Sequence, residues 1–485
     1  MRWLVWFRSD LRVHDNPALH HACAHAERGV IAVYAICPDQ WAEHDWGAPR
    51  IDFILRNLAV LKDRLATLNI PLRILTTDRF ADLPESLAGL MSTFECDALA
   101  FNNELEINEA RRDDAVESFL INQGRTAKRF HDQCILAPGT VTTNDGNPYK
   151  VYSPFRRRWG DLINDEGLPA LCPDPKKQPA FPCESSDLPS RLDSFDDPNP
   201  GTETDDLADL WPAGEQAALT RLTRFARHRI DRYHQDRDRP DLDGVSALSP
   251  YLAHGVVSIR KCLHAAAEAA NGHIDRKPAK GTGPGVWINE LVWREFYKHL
   301  IVAFPKLCMS RAFRPEYDRI EWSYDEPAFD AWKRGRTGYP IVDAAMRQLN
   351  RSGWMHNRLR MIVAMFLTKD LLIDWRWGER YFMNRLLDGD LASNNGGWQW
   401  SASTGTDAAP YFRIFNPSSQ SRKCDPEGAF IRRFVPELAD LDDRDIHEPW
   451  TIPALLRSQI DYPERIVDHD QARKKTLKAF EKIKG

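Results

Sequence analysis

The stretch GYPIVDAAMRQLNRSGWMHNRLRMIVAMFLTKDLLIDWRWGERYFMNRLLDGDLASNNGGWQWSASTGTDAAPYFRIFNP, residues 338–417, decides how the rest of the chain is read. Within it Ile341, Val342, Ala345, Met346 and Leu349 recur at helical spacing, and so do Leu359, Ile362, Val363, Phe366 and Leu367, which predicts two helices with apolar faces. Their connection, residues 350–357, carries Gly353, Trp354 and His356. Further on, Asn394, Asn395, Gly396 and Gly397 run directly into Trp398 and Trp400. A backbone this bare can be approached closely by something large and flat. Packing alone demands none of these polar, Gly and Trp interruptions, so the segment reads as the wall of a cofactor pocket.

Outward from this stretch, the chain after Glu215 stays helical in pattern, broken at residues 240–250 and 272–285, and no strand alternation of any length returns. That predicts an all-α domain over residues 215–485. Residues 1–135 read differently. Apolar runs at 3–7, 30–36, 72–75 and 98–101 alternate with helical patterns, one of them marked by Ile51, Ile54, Leu55, Leu58, Leu61 and Leu65 on a single face. This is an α/β domain with a doubly wound parallel sheet. No G-x-G-x-x-G follows the first run, which argues against a dinucleotide-binding dehydrogenase. Residues 136–214, rich in Pro, Asp and Ser, read as a connector that wraps the surface. Lys150, Arg156, Arg157 and Arg158 in its first part fit a solvated face or a DNA-flanking one equally well.

Length and composition bound the class. A chain of 485 residues holds three domains of about 150 residues or two larger ones. Its 42% hydrophobic and 28% charged residues are ordinary for a globular protein. With a net charge of -5, any nucleic-acid affinity has to come from a local basic patch. The 9 cysteines include no C-x-x-C pair and are odd in number, which favours neither a disulfide framework nor a zinc site and fits a reducing, cytoplasmic compartment. The opening MRWLVWFRSD turns charged too soon for a signal peptide, and no run of about 18 apolar residues could span a bilayer.

SGWMHNRLRM (352–361), DGDLASNNGGWQW (388–400) and STGTDAAPYFRIFNP (403–417) together resemble the photolyase/cryptochrome family, nearest its bacterial class I members that split cyclobutane pyrimidine dimers. The likeness runs from WFRSDLRVHDNPAL (6–19) nearly to the end. It implies FAD in the helical domain, a methenyltetrahydrofolate antenna between the two domains, and a monomer acting on pyrimidine dimers in double- and single-stranded DNA. The implied mechanism is electron donation from photoexcited reduced FAD, ring opening and return of the electron. A blue-light-sensing cryptochrome is the alternative; such receptors often carry a long C-terminal extension, whereas this chain stops at Gly485, soon after its last helical pattern.

The resemblance also implies roles for particular residues. DLDGVSALSP (241–250) is similar to the family's FAD phosphate loop, which places Val245, Ser246, Ala247, Leu248 and Ser249 on the cofactor, with Tyr233 just upstream. In WINELVWREFYKHL (287–300), Trp287, Glu290 and Arg294 share a helix face, and Trp293 follows Glu290 by three positions. There Glu290 meets the dimer's base edges, Trp293 stacks on it, and Trp287 and Arg294 lie near the flavin. Asn357 and Met361, one turn apart, line the same pocket, and Trp400 closes it. Met361 stands where branches repairing pyrimidine-pyrimidone photoproducts have a histidine, which favours the cyclobutane substrate. Asn394 is expected at the flavin N5, Arg360 and Asp388 as an ion pair beside the ring, and Gly389 and Asp390 on the cofactor, Asp390 at the pyrimidine edge. Trp398, Trp375 and Trp322 match the three-tryptophan relay. His44, Asn108 and Glu109 match antenna contacts, with Met309 in place of a Lys that related enzymes set against the folate tail. Arg237, Glu290, Trp293, Asn357, Arg358, Arg413 and Gln420 are the expected DNA contacts, and no metal is expected.

Overall fold

Both faces of a parallel sheet must be covered, so its strands read as continuous apolar runs. Trp3–Phe7 (β1) and Ala98–Asn102 (β4) are buried at every position, and Val30–Ile36 (β2) at all but one. In this computed structural model, which describes residues 1–195 and 207–483, they form a sheet with Leu72–Thr76 (β3) and Thr126–Phe130 (β5) in the order β3-β2-β1-β4-β5. Every pairing is parallel, with Trp3 opposite both Val30 and Ala98. Helices Ala48–Ala66 (α1) and Ile107–Asn122 (α2) supply crossovers. β5 gave no apolar run to read: as an edge strand of sequence TAKRF, no residue of it is fully buried.

Sequence reading made residues 136–214 a surface connector. The structure corrects this in part, and residues 196–206 of it lie outside the described residues. Tyr152–Glu166 is a helix (α3), because Tyr152, Phe155, Trp159 and Ile163 make an apolar stripe that needs a partner. Arg156, within this helix, is fully buried and donates from Nε to Asn289 Oδ1 at 3.1 Å, so it is no solvated charge. Further along, the connector covers the outer edge of the sheet. Leu72 N–H donates to Ser185 Oγ and Ile74 N–H to Ser186 Oγ, both at 3.0 Å, pairing backbone groups that an edge strand would otherwise leave open.

The remainder is helical. Ile259–Ala269 (α4), Gly283–Ala303 (α5), Pro340–Ser352 (α6), Asn357–Met365 (α7), Trp375–Arg385 (α8), Leu391–Ala402 (α9) and His469–Glu481 (α10) are its main elements. One apolar core runs from the sheet into α5, and a second fills the space among α6, α7, α8 and α9. Among the described residues no helix is long and apolar enough to cross a membrane, and no cluster of His, Cys, Asp or Glu could hold a metal.

The two domains are joined through buried charge. Arg260 of α4 bonds Asp15 at 3.0 Å and Asp132 at 2.8 Å, and Asp132 also bonds Arg12 at 2.5 Å. Burial opposes the Asp132 charge, yet the two guanidinium groups outweigh it and lower its pKa. Removing one partner of such a set strands the others uncompensated in a low dielectric. Arg260→Ala is therefore expected to lower stability by about 3–5 kcal/mol in chemical denaturation, and a loss below about 1 kcal/mol, the range of an exposed pair, would show that these charges are solvated.

Candidate functional site

α9 begins at Asp390, whose carboxylate accepts from Ser393 N–H at 2.9 Å, and then presents Asn394, Gly397 and Trp400 at three-residue spacing. The two sides of this helix differ. A Cβ at Gly396 would overlap the ring of Tyr297 on α5, whereas one at Gly397 would meet no atom within 4 Å. Thus one side is packed shut and the other opens onto space beside Asn394. The Asn394 amide donates to the Glu379 carbonyl at 2.9 Å and keeps its oxygen and second N–H for a ligand. Glu379 itself is pushed up to about 7 by burial and accepts from Asn395 at 2.7 Å.

α5 and α7 pack against α9. On α7, Asn357 is exposed and Met361, one turn on, is half-buried. Arg358 pairs with Asp238 at 2.7 Å, and Arg360 with the buried Asp388 at 2.7 Å. On α5, Glu290 pairs with Arg237 at 2.6 Å. Burial raises the Glu290 pKa, and Arg237 offsets this only in part. Trp293 lies parallel to Tyr152 with ring centroids 3.6 Å apart, one face covered by a residue the sequence gave no reason to select. Trp287 packs on Phe225, and Phe225 meets Tyr233 edge-on. In the 245–249 loop Ala247 takes a φ of +48°, and Ser249 Oγ accepts from Trp354 Nε1 at 3.0 Å, tying the loop to the approach of α7. Arg413 is exposed and Gln420 half-buried on the segment after α9.

The three tryptophans singled out from sequence sit deeper. Trp375 is fully buried at the start of α8, Trp398 is 2% exposed and Trp322 8%. Trp398 meets Phe382 edge-on at 5.0 Å and Trp332 at 6.1 Å, while Trp322 meets Phe480 of α10 at 6.2 Å.

A cavity of about 290 Å³ lies between the domains, and it gathers His44, Asn108 and Glu109. His44 bonds Glu109 at 3.2 Å and Asn108 at 3.1 Å. Burial works against charge on His44, but Glu109 outweighs it and raises the imidazole above its ordinary value. Gly389 and Asp390 line this cavity too, and Asp390 bonds the buried Lys298 at 2.7 Å. Burial opposes the Asp390 charge, but Lys298 holds the carboxyl below the usual range. The sequence placed Lys298 at the end of the helix stretch Glu290 to Lys298 expected to contact DNA; it is instead buried against Asp390. Arg294 donates to the Gln133 carbonyl at 2.6 Å, in the segment joining sheet to connector. Met309 is 48% exposed beside Cys308, which lines the cavity.

Comparison with known proteins gives this arrangement a context. A family profile described as "DNA photolyase" matches residues 3–176, and one described as "FAD binding domain of DNA photolyase" matches residues 287–482. The deoxyribodipyrimidine photo-lyase of Vibrio cholerae is 45% identical over 490 residues, covering 99% of this chain and 100% of its own. That of Escherichia coli is 45% identical over 478 residues, covering 99% and 98%. The chain belongs to the DNA photolyase family. Its fold follows that of a bacterial class III photolyase from Agrobacterium tumefaciens, with a TM-score of 0.89 at 36% identity over 100% of this chain and 98% of that one. A Synechocystis cryptochrome shares the photolyase fold, with a TM-score of 0.85 at 28% identity over 99% of each chain.

The residues present fit the flavin cofactor of a photolyase. An open helix face bare at Gly397, an amide with free valence at Asn394 and a guanidinium–carboxylate pair at Arg360 and Asp388 together suit a flat, polar-edged ring. Trp398 is held against α8 because Gly378 leaves its indole room, and a Cβ there would overlap that ring. Gly378→Ala is expected to lower stability by about 1–3 kcal/mol and to change the near-ultraviolet circular dichroism as the indole shifts. Wild-type stability with an unchanged spectrum would contradict this packing.

Proposed function

We propose that this protein repairs cyclobutane pyrimidine dimers in double- and single-stranded DNA under blue light, as a cytoplasmic monomer. The observation that carries the reading is the packing of three helices that bring together Asn394, the bare Gly397 and Trp400 on one, Asn357 and Met361 on a second, and Glu290 and Trp293 on a third. Tyr233, residues 245–249, Trp287, Arg294, Arg360, Asp388, Gly389, Asp390 and Asn394 would hold FAD. When bound, FAD in its reduced, light-excited form supplies the electron that opens the cyclobutane ring and takes it back.

This chain's own residues bind and orient. Photolyases are among the enzymes known to extrude their target bases from the stack, and a poorly stacked dimer lowers the cost of extrusion. Trp293, with Tyr152 behind one face, offers the other to the extruded bases. Glu290 meets the base edges of the dimer, and Arg237, bonded to it at 2.6 Å, keeps it in place. Arg237, Arg358, Arg413, Asn357 and Gln420 surround the mouth, where phosphate contacts position the strand. His44, Asn108 and Glu109 would hold methenyltetrahydrofolate in the cavity between the domains, with Met309 withholding a cationic contact from its tail. No protein acid, base or nucleophile is required.

Binding of ultraviolet-irradiated and intact DNA, measured in the dark and then after blue light, tests the reading. Dark binding selective for irradiated DNA, released on illumination with restoration of intact bases, is expected; equal affinity for both DNAs would rule it out. Glu290→Ala should retain FAD yet lower the repair yield per absorbed photon, because a dimer carbonyl or N–H loses its partner as charge arrives. An unchanged yield would remove Glu290 from the mechanism.

Trp398, Trp375 and Trp322 would pass an electron inward only to bring the cofactor into its active redox state. Trp398→Phe should therefore block photoreduction while sparing repair by enzyme reduced chemically beforehand. Phe keeps most of the buried area, so a stability loss of only about 1–2 kcal/mol is expected. Normal photoreduction would defeat the relay, and failed repair by pre-reduced enzyme would place Trp398 in the substrate pocket itself.

A further inference from the structure

His356 sits where the chain turns into α7, and only 2% of it is exposed. Its Nδ1 caps the helix, facing the Arg358 backbone N–H at 3.2 Å. A backbone N–H can only donate, so Nδ1 accepts, and the neutral ring carries its proton on Nε2. Burial pushes the imidazole down to about 4; Asp238 works the other way, and Arg358, Arg360 and Arg237 add to the lowering. At neutral pH the side chain is therefore an uncharged ring with one N–H donor. That donor is buried and meets no acceptor among the described residues. Buried donors are satisfied in nearly all native proteins, so this open one is available to a partner from outside the chain.

The neighbours say which partner. On one side lies Trp354, 6.3 Å away between ring centroids, whose own N–H holds Ser249 of the 245–249 loop. Arg360, paired with Asp388, is near enough to act on the ring's charge. Both flank the cofactor position given under Proposed function, and this inference rests on that position. A purely structural cap needs only an acceptor, which Ser, Thr, Asp or Asn supplies in smaller form. What imidazole adds is the Nε2–H at the far edge of the ring, reaching past the helix terminus. We infer that His356 is a cofactor-binding residue, whose Nε2–H donates to an acceptor oxygen of bound FAD. Cap and donor are then two ends of one rigid ring, so the start of α7, which carries Asn357, Arg358 and Met361, is set in register with the cofactor.

Two substitutions separate these ends. In His356→Asn the amide oxygen stands in for Nδ1 and keeps the cap, but nothing reaches as far as Nε2. In His356→Gln the amide nitrogen reaches the Nε2 position, but the cap is lost. Each purified protein is stripped of FAD, its denaturation midpoint is measured, and FAD is titrated back by flavin fluorescence. His356→Asn should keep the wild-type midpoint and bind FAD about tenfold more weakly, the effect of one lost hydrogen bond. His356→Gln should have a lower midpoint and bind FAD within about threefold of wild type, since a neutral N–H remains. In protein labelled with nitrogen-15 at histidine, the His356 Nε2–H resonance should shift and gain exchange protection when FAD binds. The assignment falls if His356→Asn binds FAD as wild type does, if affinity in both variants simply follows the midpoint, or if irradiated DNA rather than FAD moves the resonance. Wild-type apoprotein that takes up no FAD would defeat the proposed function as well, whereas normal uptake by wild type and His356→Asn alike defeats this assignment alone.

Discussion

A helix buried along most of its length cannot leave its charges unpaired, and that constraint on Gly283–Ala303 ties the molecule together. Each ionic residue of this helix satisfies itself on a different part of the chain. Glu290 meets Arg237, Arg294 the Gln133 carbonyl, and Lys298 the carboxylates of Asp390 and Glu106 at the cavity between the domains. Glu295 accepts from the backbone N–H groups of Ile135 and Leu136 and from Trp159 Nε1, and burial still pushes it up to about 7. One element thereby fixes the residues around Arg237, the connector and the cavity between the domains relative to one another.

Aromatic packing applies the same economy where charge is absent. Trp293 is braced from behind by Tyr152 of the connector helix, so the connector shapes the opening as well as linking the domains. The glycines of α9 divide its surface: Gly396 admits the Tyr297 ring on the packed side, and Gly397 leaves the other side bare. The contrast between adjacent glycines separates core from site within a single turn.

Three of the cations brought together here are each paired. Arg237, Arg358 and Arg360 are each matched by a carboxylate, Glu290, Asp238 and Asp388 respectively. A chain with a net charge of -5 can in this way present guanidinium groups to a polyanion without a basic surface overall. Lining the pocket with ion pairs also keeps its walls hydrogen-bonded before any ligand arrives.

Local pattern was enough for much of this. Strands 3–7, 30–36 and 98–101 were legible because burial on both faces makes them continuously apolar, and the helices of 338–417 because their apolar stripes repeat every three or four residues. The long motifs of that stretch were enough to place the chain in its family. What only the folded chain decided are pairings between residues far apart in sequence. β5 was illegible because an edge strand need not be apolar. The helix Tyr152–Glu166 was hidden because its stripe is partnered by α5, well over a hundred residues away. Lys298 on Asp390, Tyr152 on Trp293 and the open Nε2–H of His356 leave no periodic trace, since hydrogen bonding and stacking depend on approach in space. Sequence determined which residue types this chain could bring to a cofactor, and tertiary structure alone decided which of them meet, because burial sets the cost of every unpaired group.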